Sequence, residues 1–280
     1  MKRIICLISL IAFISCAFAQ EYYSTGTTNN TKHKKTTNEN VQKTDNYNQL
    51  DARRVVFGIC FGPSFNWMNW KSHRDIPEGY DRTSPGGVKM GLRYGLNIDI
   101  DLNKKKNFFV STGILIEHAG GSLNFKDNIY LVNDTLKEVS IDRGYKSIYF
   151  TIPTAITFRT PSFSNFIVCG NIGLYHSFNI YARYQSSFQI DPTAEDTEKE
   201  SINHVTTDWS RDNEVALFKE SVFAGIGLEY VIKNNLKAKL YINYAQSFNN
   251  YFSKNAKNSI TGVTEKASVG TVEILLGLSF

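Results

Sequence analysis

Residues 88–101 read VKMGLRYGLNIDID, and apolar residues occupy every second position of this stretch. A period of two residues indicates a β-strand with one apolar face and one polar or crowded face. The apolar face carries Met90, Leu92, Tyr94, Leu96, Ile98 and Ile100, and the other face carries Gly91, Arg93, Gly95, Asn97 and Asp99. Residues 271–280, TVEILLGLSF, repeat the pattern and end on Phe280, which we expect to be anchored against an apolar surrounding.

Eight alternating stretches of this kind follow one another between Val55 and Phe280. Each is long enough for the roughly 9–11 residues that a tilted strand needs to cross a bilayer. The links LNKKKN, RTPSFS and KNN are short, whereas those near residues 67–87, 119–143, 183–214 and 249–267 are long and polar. Alternation of short periplasmic turns with long surface loops is typical of outer-membrane barrels. We therefore predict an eight-stranded antiparallel up-and-down transmembrane β-barrel at residues 55–280, in the outer membrane of a Gram-negative bacterium.

The segments before the barrel have a different character. Residues 1–19 carry Lys2 and Arg3, an apolar stretch and an Ala17-Phe18-Ala19 site, which predict a secretory signal peptide cleaved after Ala19. Lipoprotein processing at Cys16 is the alternative. Residues 20–54 are rich in Thr, Asn and Lys and poor in aliphatic residues, so we expect a disordered polar periplasmic tether. Whether this tether binds cell wall or acidic lipid is left open.

Strand parity assigns side chains to the barrel interior or to the lipid. The ionisable residues expected in the lumen form a structural charge network of Arg93, Asp99, Glu117, Arg159, Glu229, Lys239 and Glu273. In this network Lys239 is expected to bridge Glu229 and Glu273, and a proton or ion path is the alternative to a salt-bridge plug. The outward aromatics expected to anchor the periplasmic interface are Phe57, Phe108, Phe158, Phe166, Tyr230 and Phe280. Pro153 lacks an N–H, so a bulge or a missing ladder bond is expected there.

Other residues invite functional hypotheses. Trp67 and Trp70 in the first long connection would form a partner-binding loop or, equally, part of the aromatic belt. The pairs Glu117-His118 and His176-Ser177 resemble catalytic dyads, but strand neighbours point to opposite faces and cannot share a site. We predict no catalytic residue, no metal site and no cofactor.

The cysteines and the net charge argue against a disulfide-linked scaffold and against nucleic-acid binding. Cys60 and Cys169 lie on strands predicted to be on opposite sides of the barrel, so free thiols are expected. The formal net charge of +5 is too small to indicate nucleic-acid binding.

The chain resembles the PorT-like family of bacterial outer-membrane barrels over about residues 55–280. The resemblance is carried by VFGICFGPSFN, SIYFTIPTAITF, CGNIGLYHSF, FAGIGLEY and the terminal Phe280. It implies an eight-stranded outer-membrane barrel, and some relatives are associated with protein secretion or gliding machinery. We therefore expect a non-enzymatic barrel that contacts outer-membrane lipid and acts as a structural or partner-binding component of an envelope or secretion assembly. A small channel is the alternative, and an outer-membrane hydrolase or acyltransferase is a weaker one.

Overall fold

The structure is a computed structural model that describes residues 54–70, 82–102, 107–132, 135–190, 199–205, 214–233, 236–254, 256 and 266–280. The predicted signal peptide and nearly all of the predicted tether lie outside the described residues. The described residues form ten strands: β1 Val55–Trp70, β2 Arg82–Pro85, β3 Lys89–Asp101, β4 Phe108–Val132, β5 Thr135–Arg159, β6 Phe166–Ile190, β7 Lys199–Val205, β8 Phe218–Lys233, β9 Leu236–Ser247 and β10 Ala267–Ser279.

Eight of these strands close into a barrel. Each of β1, β3, β4, β5, β6, β8, β9 and β10 pairs antiparallel with its neighbour along the chain, and β10 returns to pair with β1. The closing ladder runs from Trp70 opposite Ala267 to Gly58 opposite Ser279. One further bond is donated by the Phe280 N–H to the Phe57 carbonyl at 2.8 Å. The ladder has no free edge, and the predicted eight-stranded antiparallel barrel is confirmed.

The two ends of the barrel differ. At the short-turn end, β5 and β6 are joined through Ser164 and Asn165, whose φ angles of 46° and 74° place both in the left-handed region. Phe163 and Phe166 exchange two backbone hydrogen bonds of 2.8 Å around them. Two successive residues with positive φ are typical of the type I′ turn, whose twist matches that of the flanking strands.

At the opposite, long-strand end, the prediction of loops was partly wrong. β4, β5 and β6 each have 25 residues, so strands occupy most of 119–143 and the first part of 183–214. β4 and β5 stay paired as far as Val132 opposite Thr135. The alternation that signals a strand comes from burying one face, and it fades where backbone pairing continues into water. Sequence pattern alone therefore underestimates these strands.

The extensions form what we call the tip sheet. It consists of β2, β7, the part of β4 after His118, the part of β5 before Ile148 and the part of β6 after Tyr181. β2 pairs with β4 at Leu123–Lys126, and β7 pairs with β6 at Arg183–Gln189. The strand order across this sheet is β2-β4-β5-β6-β7. It continues the barrel wall as an open sheet above the closed part.

Pro153 interrupts the wall as expected. Its side chain is buried, and the β4–β5 ladder lacks pairs between Thr112–Thr154 and Leu115–Thr151. The register is the same on both sides, so hydrogen bonds are missing without a bulge. The Thr112 hydroxyl donates to the Pro153 carbonyl at 2.9 Å and satisfies that acceptor. Among the described residues, no helix is long and apolar enough to cross a membrane.

Candidate functional site: the barrel interior

Alternation along each strand places charged side chains inside a barrel that eight strands make just wide enough for side chains to fill. All seven residues of the predicted charge network are buried in the interior. Together with Lys219, which is also buried, they form two groups of four at different heights. The lower quartet, nearer the short-turn end, is Asp99, Arg159, Glu229 and Lys239, and the upper quartet is Arg93, Glu117, Lys219 and Glu273.

The lower quartet has two positive and two negative charges. Asp99 receives Arg159 at 2.6 Å and Lys239 at 2.8 Å, and Glu229 lies 2.9 Å from Arg159 and 3.9 Å from Lys239. The Tyr241 hydroxyl adds a hydrogen bond to Glu229 at 2.9 Å. Each buried charge therefore has an opposite charge beside it, which offsets part of the cost of removing it from water.

The upper quartet is balanced in the same way. Glu117 receives Arg93 at 3.0 Å and Lys219 at 2.8 Å, while Arg93 also pairs with Glu273. The Tyr175 hydroxyl donates to Glu273, and the Asn243 amide donates to the same carboxylate at 2.7 Å. The Arg93 guanidinium stacks over the Tyr175 ring at 4.2 Å from its centroid. Positive and negative charges thus cancel within each layer.

Apolar layers separate and cover the quartets. Tyr175 and Phe223 stack face to face with centroids 3.9 Å apart, and they pack with Leu115, Ala155 and Ala245. Toward the long-strand end, a larger cluster covers the upper quartet, and it comprises Met68, Ala119, Leu123, Tyr145, Tyr149, Ala182, Val215, Tyr251, Phe252, Ala256, Ala267 and Val269. A cavity of about 90 Å³ is lined by residues of the lower quartet and of the apolar layer above it. The interior is a filled core.

Two interior features differ from the prediction. The expected bridge from Lys239 to both carboxylates is wrong for Glu273, because Lys239 lies opposite Gly277, four residues further along β10. Four residues correspond to about 13 Å of strand. The sequence reasoning also missed Lys219, which shares the face of Glu229 on β8 and could have been found by that parity.

The predicted interface aromatics all face outward. Phe57, Phe108, Phe158, Phe166, Tyr230 and Phe280 are between 39% and 51% exposed. Phe108 contacts Phe158 across strands with ring centroids 5.2 Å apart, and Phe166 contacts Tyr230 at 5.0 Å. They lie toward the short-turn end, where an aromatic side chain suits the boundary between lipid and water. Their role as lipid anchors remains a prediction.

The proposed Trp67–Trp70 partner loop is corrected by the structure. Both residues belong to β1, and their side chains point to opposite faces of the wall. Trp67 faces outward and stacks on Tyr244 with centroids 6.1 Å apart, whereas Trp70 packs against the buried cluster above the upper quartet. A pair divided between two faces cannot form one binding patch. Trp67 is the member placed on the lipid-facing surface.

The remaining candidate groups are also separated. His176 lies outward, with Nδ1 3.2 Å from Glu220, while Ser177 is buried in the interior. Cys60 and Cys169 are free thiols on different strands, as predicted. Within the part of the chain that the structure describes, no cluster of three or more His, Cys, Asp or Glu side chains could hold a metal ion.

Comparison with known proteins gives distant structural likenesses. No family model matches the chain, and no curated protein matches it. Among solved structures, Ail of Yersinia pestis is 14% identical, covering 81% of this chain and 100% of Ail, with a TM-score of 0.31. OprG of Pseudomonas aeruginosa is 11% identical (82% and 98% covered, TM-score 0.34), and the outer membrane protease OmpT of Escherichia coli is 9% identical (81% and 94% covered, TM-score 0.32).

Scores this low carry no argument, so the fold rests on the closed ladder itself. The outer surface completes the assignment. Large apolar side chains are exposed on every barrel strand, including Phe61, Leu96, Ile114, Ile156, Ile172, Ile226, Ile242 and Leu276. Water would not stabilise such a belt, whereas a bilayer requires it together with a wall that leaves no strand edge open. The chain is an eight-stranded transmembrane β-barrel of the Gram-negative outer membrane.

Proposed function

We propose that this protein is a non-enzymatic outer-membrane barrel whose tip sheet binds a partner protein of an envelope or secretion assembly. The observation that carries the proposal is the length of β4, β5 and β6, since 25 residues is more than twice what crossing a bilayer requires. The excess length forms an ordered platform outside the lipid. The sequence resemblance to PorT-like barrels supplies the class of assembly.

The edge of the tip sheet supports the mode of binding. Closing a barrel removes free strand edges, but the tip sheet opens again at its sides. Among the described strands, β7 has a ladder with β6 alone, over Lys199–Val205. A strand with one unpaired edge can accept an additional strand, whose main-chain hydrogen bonds then provide affinity. We therefore place the partner at β7.

The filled interior favours this proposal over a channel. A permeating solute would have to displace the paired charges of both quartets and the Tyr175–Phe223 stack between them. Breaking a buried ion pair costs about 3–5 kcal/mol, which is a large barrier for each layer. The interior charges thus serve as a rigid plug, and the wall serves as a support for the tip sheet.

Site-specific photo-crosslinking in cells tests the proposal. A photoreactive residue replaces Asp142, which is exposed in the tip sheet, or, as a control, Ile226 on the lipid-facing wall. We expect one discrete adduct at the tip position, identified by mass spectrometry as the same envelope protein in repeated experiments. The control position should give lipid adducts alone.

Conductance of the purified barrel in planar bilayers separates the two functions. The plug predicts no steady conductance. A stable single-channel current, together with no adduct at Asp142, would replace the partner-binding proposal with the channel.

A further inference from the structure

A group of basic side chains lies at the base of the tip sheet, where β5 and β6 extend beyond the closed barrel. We call it the basic pocket and define it by Lys89, Lys146 and Arg183, with His118 and Tyr181 at its edge. These residues line a cavity of about 260 Å³ between β3, β4, β5 and β6, together with the buried Ala119, Tyr145 and Ser147. Neither the interior charge network nor the tip-sheet edge includes them, so the functions described above leave the pocket unexplained.

The pocket brings like charges together. Lys146 on β5 and Arg183 on β6 are directly opposite each other in the ladder, and both side chains are exposed. The ammonium of Lys89 lies over Gly144, in the space that a side chain at that position would fill. Lys89 therefore lies near Lys146, which is the next residue on the same face of β5 as Gly144. Like charges directly opposite each other destabilise a pair of strands.

No protein group neutralises this cluster in the part of the chain that the structure describes. The ion pairs there involve other residues, and none includes Lys89, Lys146 or Arg183. In contrast, every charge of the two interior quartets is paired with an opposite charge. Three cations at one concavity, with no counter-charge on the residues that the structure describes, are a site that an anion from outside the protein would complete.

The height of the pocket identifies the source of that anion. Phe158 marks the aromatic level at the short-turn end of β5, and Ile148 is ten residues higher on the same outward face. With a rise of about 3.3 Å per residue and a tilt of about 40°, these ten residues span about 25 Å, the height of the apolar band of an outer-membrane barrel. Lys146 is the next outward residue above this band, at the level of lipid headgroups.

Apolar side chains continue directly beneath the cations. Met90 is 74% exposed at the pocket wall, and Ile148 lines the pocket opposite Tyr181 in the ladder. An inorganic anion would gain nothing from this surface. A lipid would place its acyl chains against Met90 and Ile148 while its headgroup meets the cations.

We propose that the basic pocket binds the phosphate-bearing headgroup of an outer-leaflet lipid. The guanidinium of Arg183 offers paired N–H donors that match two phosphate oxygens, and Lys146 and Lys89 contribute point charges on either side. The bound phosphate replaces like-charge repulsion with charge-assisted hydrogen bonds. The lipid thereby joins β3, β5 and β6 at the base of the tip sheet.

Native mass spectrometry of the detergent-solubilised full chain tests the site with three probes: lipid A with two phosphates, its dephosphorylated form and inorganic phosphate. For wild-type protein we expect lipid A to bind at least about tenfold more tightly than either other probe, which corresponds to about 1.4 kcal/mol. Equal binding of dephosphorylated lipid would overturn the role of the phosphate. Equal binding of inorganic phosphate would overturn the lipid as its source.

Substitutions then locate the binding. The double variant Lys146→Gln/Arg183→Gln should lose at least about tenfold in lipid A affinity. Lys233→Gln, an exposed charge at the short-turn end, is the matched control and should change the affinity less than about twofold. The double variant should also unfold at the same or a higher temperature without lipid, because it removes repulsion. Retained lipid A binding in the folded double variant would overturn the proposal.

Discussion

Removing the Arg93 guanidinium tests whether the upper quartet acts as a coupled unit. Arg93 pairs with Glu117 at 3.0 Å and with Glu273, and all three side chains are at most 1% exposed. Arg93→Met keeps most of the volume but leaves two carboxylates facing one ammonium, that of Lys219. Breaking a buried pair by removing one partner costs about 3–5 kcal/mol, so we expect the free energy of unfolding to fall by that amount.

A second substitution should restore much of this loss. Arg93→Met/Glu273→Gln leaves Lys219 and Glu117, which are 2.8 Å apart, as a balanced pair. The new amide oxygen can still accept from Tyr175 and Asn243, which both donate to Glu273 in the native barrel. We therefore expect the double variant to be more stable than Arg93→Met by at least about 1.5 kcal/mol.

Urea titration of the barrel refolded into lipid vesicles measures both values, with tryptophan fluorescence reporting unfolding and gel mobility confirming closure. Glu220→Gln serves as the control, because the His176–Glu220 pair is partly exposed, at 21% for each side chain. Its loss should be at most about 1 kcal/mol. If the double variant is no more stable than Arg93→Met, the quartet is not coupled and the reasoning fails.

Three further predictions concern the wall. Ile226→Arg, at a lipid-facing position 68% exposed, should cost about 2–4 kcal/mol in the same titration, whereas Tyr230→Arg near the interface should cost about 0–1 kcal/mol; equal losses would contradict the assigned depth. Gly62→Ala would push a methyl group into the carbonyl of Ile274 and should cost about 1–3 kcal/mol, measured by the urea midpoint. Both cysteines should resist a bulky maleimide in the folded barrel and react after unfolding, and labelling of the native barrel would contradict their placement in the wall interior.

Much of the barrel could be predicted from the sequence, because the alternation of apolar and polar residues is visible within each single strand. The residues of β3 from Met90 to Ile100 alternate, and the structure places the apolar members outward and Arg93 and Asp99 inward. From Val272 onward β10 follows the same pattern with Glu273 inward, and Leu275 is its one inward apolar residue. The lengths of β4, β5 and β6 could not be predicted in this way. Their upper parts are held by backbone pairing with neighbouring strands, which the sequence pattern does not reveal, although Leu123, Tyr145 and Ala182 enter the buried cluster above the upper quartet.

The same distinction between local pattern and strand pairing applies to the charged residues of the interior. The sequence by itself determined which side chains enter the lumen, because successive residues of a strand point to opposite faces whatever the strand pairs with. Only the tertiary structure decided which charges meet. The strands of a closed barrel are tilted and staggered, so residues on distant strands reach one level through a shear that no single strand encodes. That stagger brings Lys239 to Asp99 and leaves Glu273 to Arg93.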